Sequence, residues 1–76
     1  MTQVEWKEIF GGNLADILKD RNMSQRQLAR DTGLSVSRIS DYINGSATPS
    51  IFAIINMAYV LNLDITEFVD FGEVIE

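Results

Sequence analysis

The sequence contains no cysteine and no histidine. The first absence rules out disulfide cross-links. Together they remove the side chains of ordinary zinc sites and of imidazole acid–base chemistry. No apolar run approaches the ~20 residues of a membrane span. The opening MTQVEWKEIF lacks the charged-then-apolar order of a secretory signal. A soluble, cytoplasmic protein is expected, with no membrane partner. Proline occurs once, and 46% of the residues are hydrophobic, so a folded chain is expected rather than a disordered one. Basic residues are the most unevenly distributed shortage: no Lys or Arg follows Arg38.

Seventy-six residues with a formal net charge of −5 are expected to form one domain, 1–76, with a core over about 12–69 and an acidic, apolar tail at 70–76. A core that small needs well-packed helices or oligomerisation to be stable. Glu5, Lys7, Glu8 and Asp16 leave residues 1–18 at −2. Lys19, Arg21, Arg26, Arg30 and Arg38 against Asp20, Asp31 and Asp41 put residues 19–46 at +2. Asp64, Glu67, Asp70, Glu73 and Glu76 put residues 47–76 at −5. Overall acidity disfavours non-specific binding to nucleic acid, but one segment is locally basic.

The apolar spacing predicts five helices and no strand. Trp6, Phe10, Leu14, Ile17 and Leu18 predict a first helix over about 5–21, with Gly11-Gly12 as an interruption that kinks or delays it. Asn22 suits the left-handed end of that helix. Ser24 with Gln27 forms a capping-box pattern for the second helix, which Gly33 ends. Ser35 caps the third, running to about Ile43. Ser50 caps the fourth, whose sequence IFAIINMAYVLN is apolar nearly all round and predicts a central buried helix. Asp64 and Glu67 predict a short fifth helix around Ile65–Val69.

The second and third helices are separated by three residues, Gly33, Leu34 and Ser35, so they must cross steeply. Ala29 supplies the small residue at the crossing, Gly33 the positive φ, and Leu34 and Ile39 the apolar plugs. This is a helix-turn-helix pattern. Its third helix is two-faced. Ile39, Tyr42 and Ile43 form one side, and Ser37, Ser40, Asp41 and Asn44, at i, i+3, i+4 and i+7, form the other. Short hydrogen-bonding side chains let a helix enter a major groove and touch base edges. A solvated surface face is the plainer alternative for any single amphipathic helix.

SQRQLARDTGLSVSRISDYINGSATPSIFAIINMAYVLNLDITEF resembles the Xre-like, Cro/repressor-type helix-turn-helix family of bacterial and phage regulators. The likeness covers about Leu14 to Phe68. Gln25, Leu28, Ala29, Gly33, Ile39 and Tyr42 stand at matching positions, followed by N-G, a short loop, P-S and an apolar fourth helix. The resemblance implies an all-α, compact five-helix bundle of the lambda-repressor-like type that binds double-stranded operator DNA as a homodimer. It implies phosphate contacts for Gln25 and Asn44, and base-reading positions for Val36, Ser37 and Asp41. Two features depart from the family pattern. Leu18 and Ile43 stand where a family ion pair of Arg and Glu is common, which suggests that they pack together instead. The loop SATPS carries no base, so fewer phosphates would be neutralised.

Val36 suits a thymine methyl, and Asp41 suits cytosine N4 but repels phosphate. Arg38 suits guanine or phosphate, or else simple solvation or pairing with Asp41. Arg26, Arg30 and Ser46 are candidate phosphate contacts, and Ser40 belongs to the polar face. Trp6, Phe10, Phe52, Tyr59 and Phe68 are expected in the core or a dimer contact rather than under bases. No carboxylate pairing suggests catalysis and no glycine loop suggests phosphate cradling, so no enzyme activity, metal, cofactor or small-molecule ligand is expected. The expected function is a sequence-specific transcriptional regulator, a repressor of a palindromic operator. The alternative is a protein-interaction module on the same fold, with an antitoxin that represses its own operon as a middle case. Phe68, Val69, Phe71, Val74 and Ile75 are expected either to form the dimer contact or to fold back on the core.

Overall fold

Helix ends determine how this chain turns. In the structure, a computed structural model describing residues 2–68, the helices are α1 (Gln3–Asp20), α2 (Gln25–Thr32), α3 (Val36–Ile43) and α4 (Ile51–Val60). Three of them stop in the same way. Asn22, Gly45 and Asn62 have φ of 55°, 73° and 56°, the left-handed region. The next residue then reaches back across the last turn: Met23 N donates to Leu18 O, Ser46 N to Asp41 O and Leu63 N to Ala58 O, each at 2.9 Å. These bonds satisfy carbonyls that a helix end leaves open. Helix α2 ends more abruptly, at Gly33 (φ 80°), with Gly33 N donating to Ala29 O. That shorter ending suits the three-residue turn into α3.

Serines start α2, α3 and α4 as expected. Ser24 Oγ accepts from Gln27 N, Ser35 Oγ from Arg38 N and Ser50 Oγ from Ala53 N, at 3.0–3.1 Å. The box at α2 is half of what its sequence suggests. The Gln27 side chain runs along the helix, donating to Asp31 Oδ1 and accepting from Arg30. A full capping box stands instead at α1, where Thr2 and Glu5 exchange hydrogen bonds.

Four expectations change. First, among the described residues the bundle has four helices, not five. Beyond α4 the described residues make a single four-residue turn, Ile65–Phe68. Asp64 Oδ1 takes both the backbone N–H and the hydroxyl of Thr66, and Ile65 and Thr66 are exposed. Second, α1 begins earlier than expected, at Gln3. Third, it runs through Gly11-Gly12 without interruption. Gly11 is there because α1 passes against the end of α3: a Cβ on it would stand 2.5 Å from Ile43 O and 2.6 Å from Tyr42 O. Fourth, α4 is not a central buried helix. It buries Ala53, Ile54, Met57 and Ala58 but exposes Ile51, Phe52, Ile55 and Tyr59.

The core joins Phe10, Leu14 and Leu18 of α1 to Leu28, Ala29, Ile39, Tyr42, Met57 and Leu61. Trp6 stacks on Phe10, and Phe10 meets Tyr42 edge-on, so these rings pack as expected. Helix α1 packs on α3, and α2 packs on both α3 and α4. Among the described residues no polar or charged residue is fully buried, and no helix is long and apolar enough to cross a membrane. The expectations for Val69, Phe71, Val74 and Ile75 lie outside the described residues.

Candidate nucleic-acid interface

The turn between α2 and α3 is held from three directions. Thr32 Oγ1 donates to Leu28 O at 2.8 Å and accepts from Leu34 N at 3.2 Å, tying the last turn of α2 to the start of the connection. Asn56 Nδ2 on α4 donates to Thr32 O at 2.9 Å. Ala29, buried, lies where α2 meets the neighbouring helices, and Ile39, fully buried, anchors α3 from beneath. The angle of α3 is therefore set by packing and by a hydrogen bond from a third helix.

With Ile39 and Tyr42 buried, α3 turns Val36, Ser37, Arg38 and Asp41 outward. Ser37, Arg38 and Asp41 line one groove of about 450 Å³ with Ser35, Thr48 and Ser50, between α3 and the loop leading into α4. Hydroxyls, a guanidinium and a carboxylate face the same space, so the groove offers donors and acceptors of both charge signs. Ser46 Oγ donates to Asp41 O and, at 3.4 Å, to Asp41 Oδ1, which steadies the carboxylate at the mouth of the loop.

The remaining sequence candidates are spread around this groove. Val36, at the first turn of α3, is 42% exposed. Asn44, exposed, caps the C-terminal end of α3, and its Nδ2 reaches Ser40 Oγ at the long distance of 3.5 Å. Ser40 is half-buried and so presents less to a ligand than its spacing suggests. Gln25 is half-buried at the first position of α2, beside a depression lined by Leu18, Met23 and Ile43. Leu18 and Ile43 thus line one space, in keeping with their expected proximity. Arg26 and Arg30 are exposed along α2, and Arg30 Nη1 donates to Gln27 Oε1.

Four residues escape a reading of the sequence alone. Thr48 and Ser50 line the groove, although Ser50 is recognisable in the sequence only as a cap. Thr32 and Asn56 hold the turn. An Asn within an otherwise apolar helix is the signal that could have pointed to Asn56, because a polar group facing a core needs a partner.

A helix-turn-helix family model matches residues 14–68. No curated protein matches the chain. Among solved structures, an HTH_3 family transcriptional regulator from Vibrio cholerae is similar over 88% of this chain, at 25% identity and a TM-score of 0.84. The chain spans 38% of that regulator's length. The restriction-modification controller protein C.AhdI from Aeromonas hydrophila is similar over 82% of this chain and 94% of its own, at 26% identity and a TM-score of 0.79.

Proposed function

The chain belongs to the helix-turn-helix family, and on that premise we propose that it is a DNA-binding transcriptional regulator that reads a palindromic operator as a homodimer and represses from it. The observation that carries this reading is the outward face of α3, short and polar, in a segment that holds five of the six basic residues. In this reading α3 lies in the major groove. Ser37 and Asp41 face base edges, Asp41 accepting from a cytosine amino group, and Val36 packs on a thymine methyl. Gln25, Asn44, Arg26, Arg30 and Ser46 lie toward phosphates, Arg38 toward phosphate or guanine, and Ser40 supports the face from its half-buried position. Thr48 and Ser50 join them across the groove. The similarity to a controller protein over 94% of that protein's length supports a regulatory role.

One observation favours a second reading. Asp41 stands in the groove of a chain with a net charge of −5, where a phosphate would be repelled. A partner protein is the corresponding alternative.

Selection of bound fragments from random duplex DNA at low salt tests the two. A defined sequence preference is expected. Ser37→Ala should relax it at one or two base pairs, at ~1–3 kcal/mol per lost bidentate contact and less for a single hydroxyl. Gln25→Ala should weaken all sequences alike. Recovery of no preference refutes the operator reading and leaves the protein partner.

A further inference from the structure

Helix α4 leaves a stripe uncovered. Ile51, Ile55 and Tyr59 follow each other at i, i+4 and i+8, with Phe52 alongside, and they are 57%, 51%, 85% and 79% exposed respectively. Residues at that spacing form one ridge on a helix. The polar neighbour within the helix, Asn56, is turned away and engaged with Thr32 O. Within α4 nothing charged interrupts the stripe, since the helix contains no Asp, Glu, Lys or Arg, and Asp31 of α2 shares a depression with Tyr59 at one end of it.

We propose that this stripe is where a second copy of the chain docks, α4 against α4, about a twofold axis at Ile55. Shape, charge and area each select a second copy. In shape, Ile51 and Tyr59 lie four residues either side of Ile55, so an antiparallel pairing sets Ile51 of one copy against Tyr59 of the other, twice. A twofold interface requires that self-complementarity. Ridges of this spacing interdigitate at a crossing angle of about −50°. In charge, two chains of −5 repel, and an uncharged seam lets them approach without like charges in contact. The same seam offers a charged partner nothing to pair with. In area, two large aromatic and two aliphatic side chains at these exposures present on the order of 500 Å², at the upper end of the largest apolar patch on an ordinary monomer. Pairing two copies removes about 1,000 Å², the threshold for specific association. The inference deepens the dimeric reading above and rests on it, while replacing the apolar tail with α4 as the contact.

The test is the mass of the full chain in solution, by sedimentation, across micromolar to millimolar concentration. The wild type should dimerise. Ile55→Glu and Ile55→Lys should each weaken dimerisation at least ~100-fold, because each sets like charges against each other at a desolvated axis. Mixed one to one, they should restore a dimer, since position 55 meets itself. Tyr59→Ser should weaken the dimer ~10-fold or more. Unchanged far-ultraviolet circular dichroism in all three variants would exclude loss of fold. A wild type that stays monomeric at millimolar concentration, alone and with selected DNA, overturns both the dimeric reading and this surface. A dimer indifferent to charge at position 55 and to Tyr59→Ser overturns the surface alone. A mixture that stays monomeric overturns the twofold seam at Ile55.

Discussion

Helices α3 and α4 start alike and end alike, yet their outer faces could hardly differ more. Each is capped by a serine whose hydroxyl accepts from the third residue of the helix, and each ends in a left-handed residue. Each buries one face: Ile39 and Tyr42 in α3, and Ala53, Ile54, Met57 and Ala58 in α4. Outward, α3 shows short polar groups, a carboxylate, one guanidinium and a single valine, Val36, whereas α4 shows two aromatic rings and two isoleucines. The core specifies the inner face of a helix and leaves the outer one free. A polar outer face suits a wet, charged ligand such as DNA, and an apolar one suits another protein surface. A helix that is apolar all round need not be buried all round.

The comparison breaks first if the two inner faces are not equally essential. Ile39 and Met57 are both fully buried. Ile39→Ala and Met57→Ala should each cost ~2–5 kcal/mol, from lost burial and the cavity left behind. Urea denaturation measures both. A loss under ~1 kcal/mol at Met57 would mean that α4 is not held by its inner face, and its outer face would then lose its meaning as a fixed surface.

A smaller effect separates the support of α3 from that of α4. Gly11 and Gly12 are neighbours in α1, but a Cβ at Gly11 meets the backbone carbonyls of Tyr42 and Ile43, and one at Gly12 meets nothing within 4 Å. Alanine favours the helix over glycine by ~1 kcal/mol. Gly12→Ala should therefore stabilise by ~0.5–1 kcal/mol. Gly11→Ala should destabilise by ~1–3 kcal/mol, because backbone atoms cannot swing aside. It should also disturb amide resonances at the end of α3 more than those of α4. Stabilisation by both variants would show that α1 and α3 do not touch there.

These glycines also show where sequence reasoning stops. Local signals were legible: Ser24, Ser35 and Ser50 as caps, Asn22 and Gly33 as left-handed ends, and Ile39 beneath the turn. Each depends on bonds within a few residues. Gly11 could not be told from Gly12, because its reason lies at the far end of another helix. Periodicity could not show which side of IFAIINMAYV faces out, because every position but Asn56 is apolar enough to be buried, and Asn56 itself turns toward Thr32 O rather than to solvent. The polar side of α3 was legible because it contrasts with Ile39 and Tyr42, but the half-burial of Ser40 and Gln25 and the presence of Thr48 in the groove depend on how the loop folds over. The expectation of a fifth helix came from an Asp64 pattern whose carboxylate is engaged by Thr66 in a single turn.

The smallest effect concerns acid and should leave both outer faces alone. Glu5 is held below the usual carboxylate range, first by the backbone N–H of Thr2 and then by its hydroxyl. Asp64 is held down in the same way by the backbone N–H and hydroxyl of Thr66. Each carboxylate favours the folded chain when ionised, so its contribution is present above the ordinary carboxylate pKa and disappears as pH falls through the depressed folded value. A variant carrying Glu5→Gln and Asp64→Asn should melt slightly below wild type at neutral pH, and the gap should close in acid. Thermal melts of both proteins across that range measure it. The two groups sit at the start of α1 and beyond the end of α4, so the double variant should keep wild-type affinity for DNA and for a second copy. A melting difference that stays constant with pH would show that the loss is not electrostatic. A drop in either affinity would show that these end turns are coupled to the faces, and the separation between inner support and outer function would fail there.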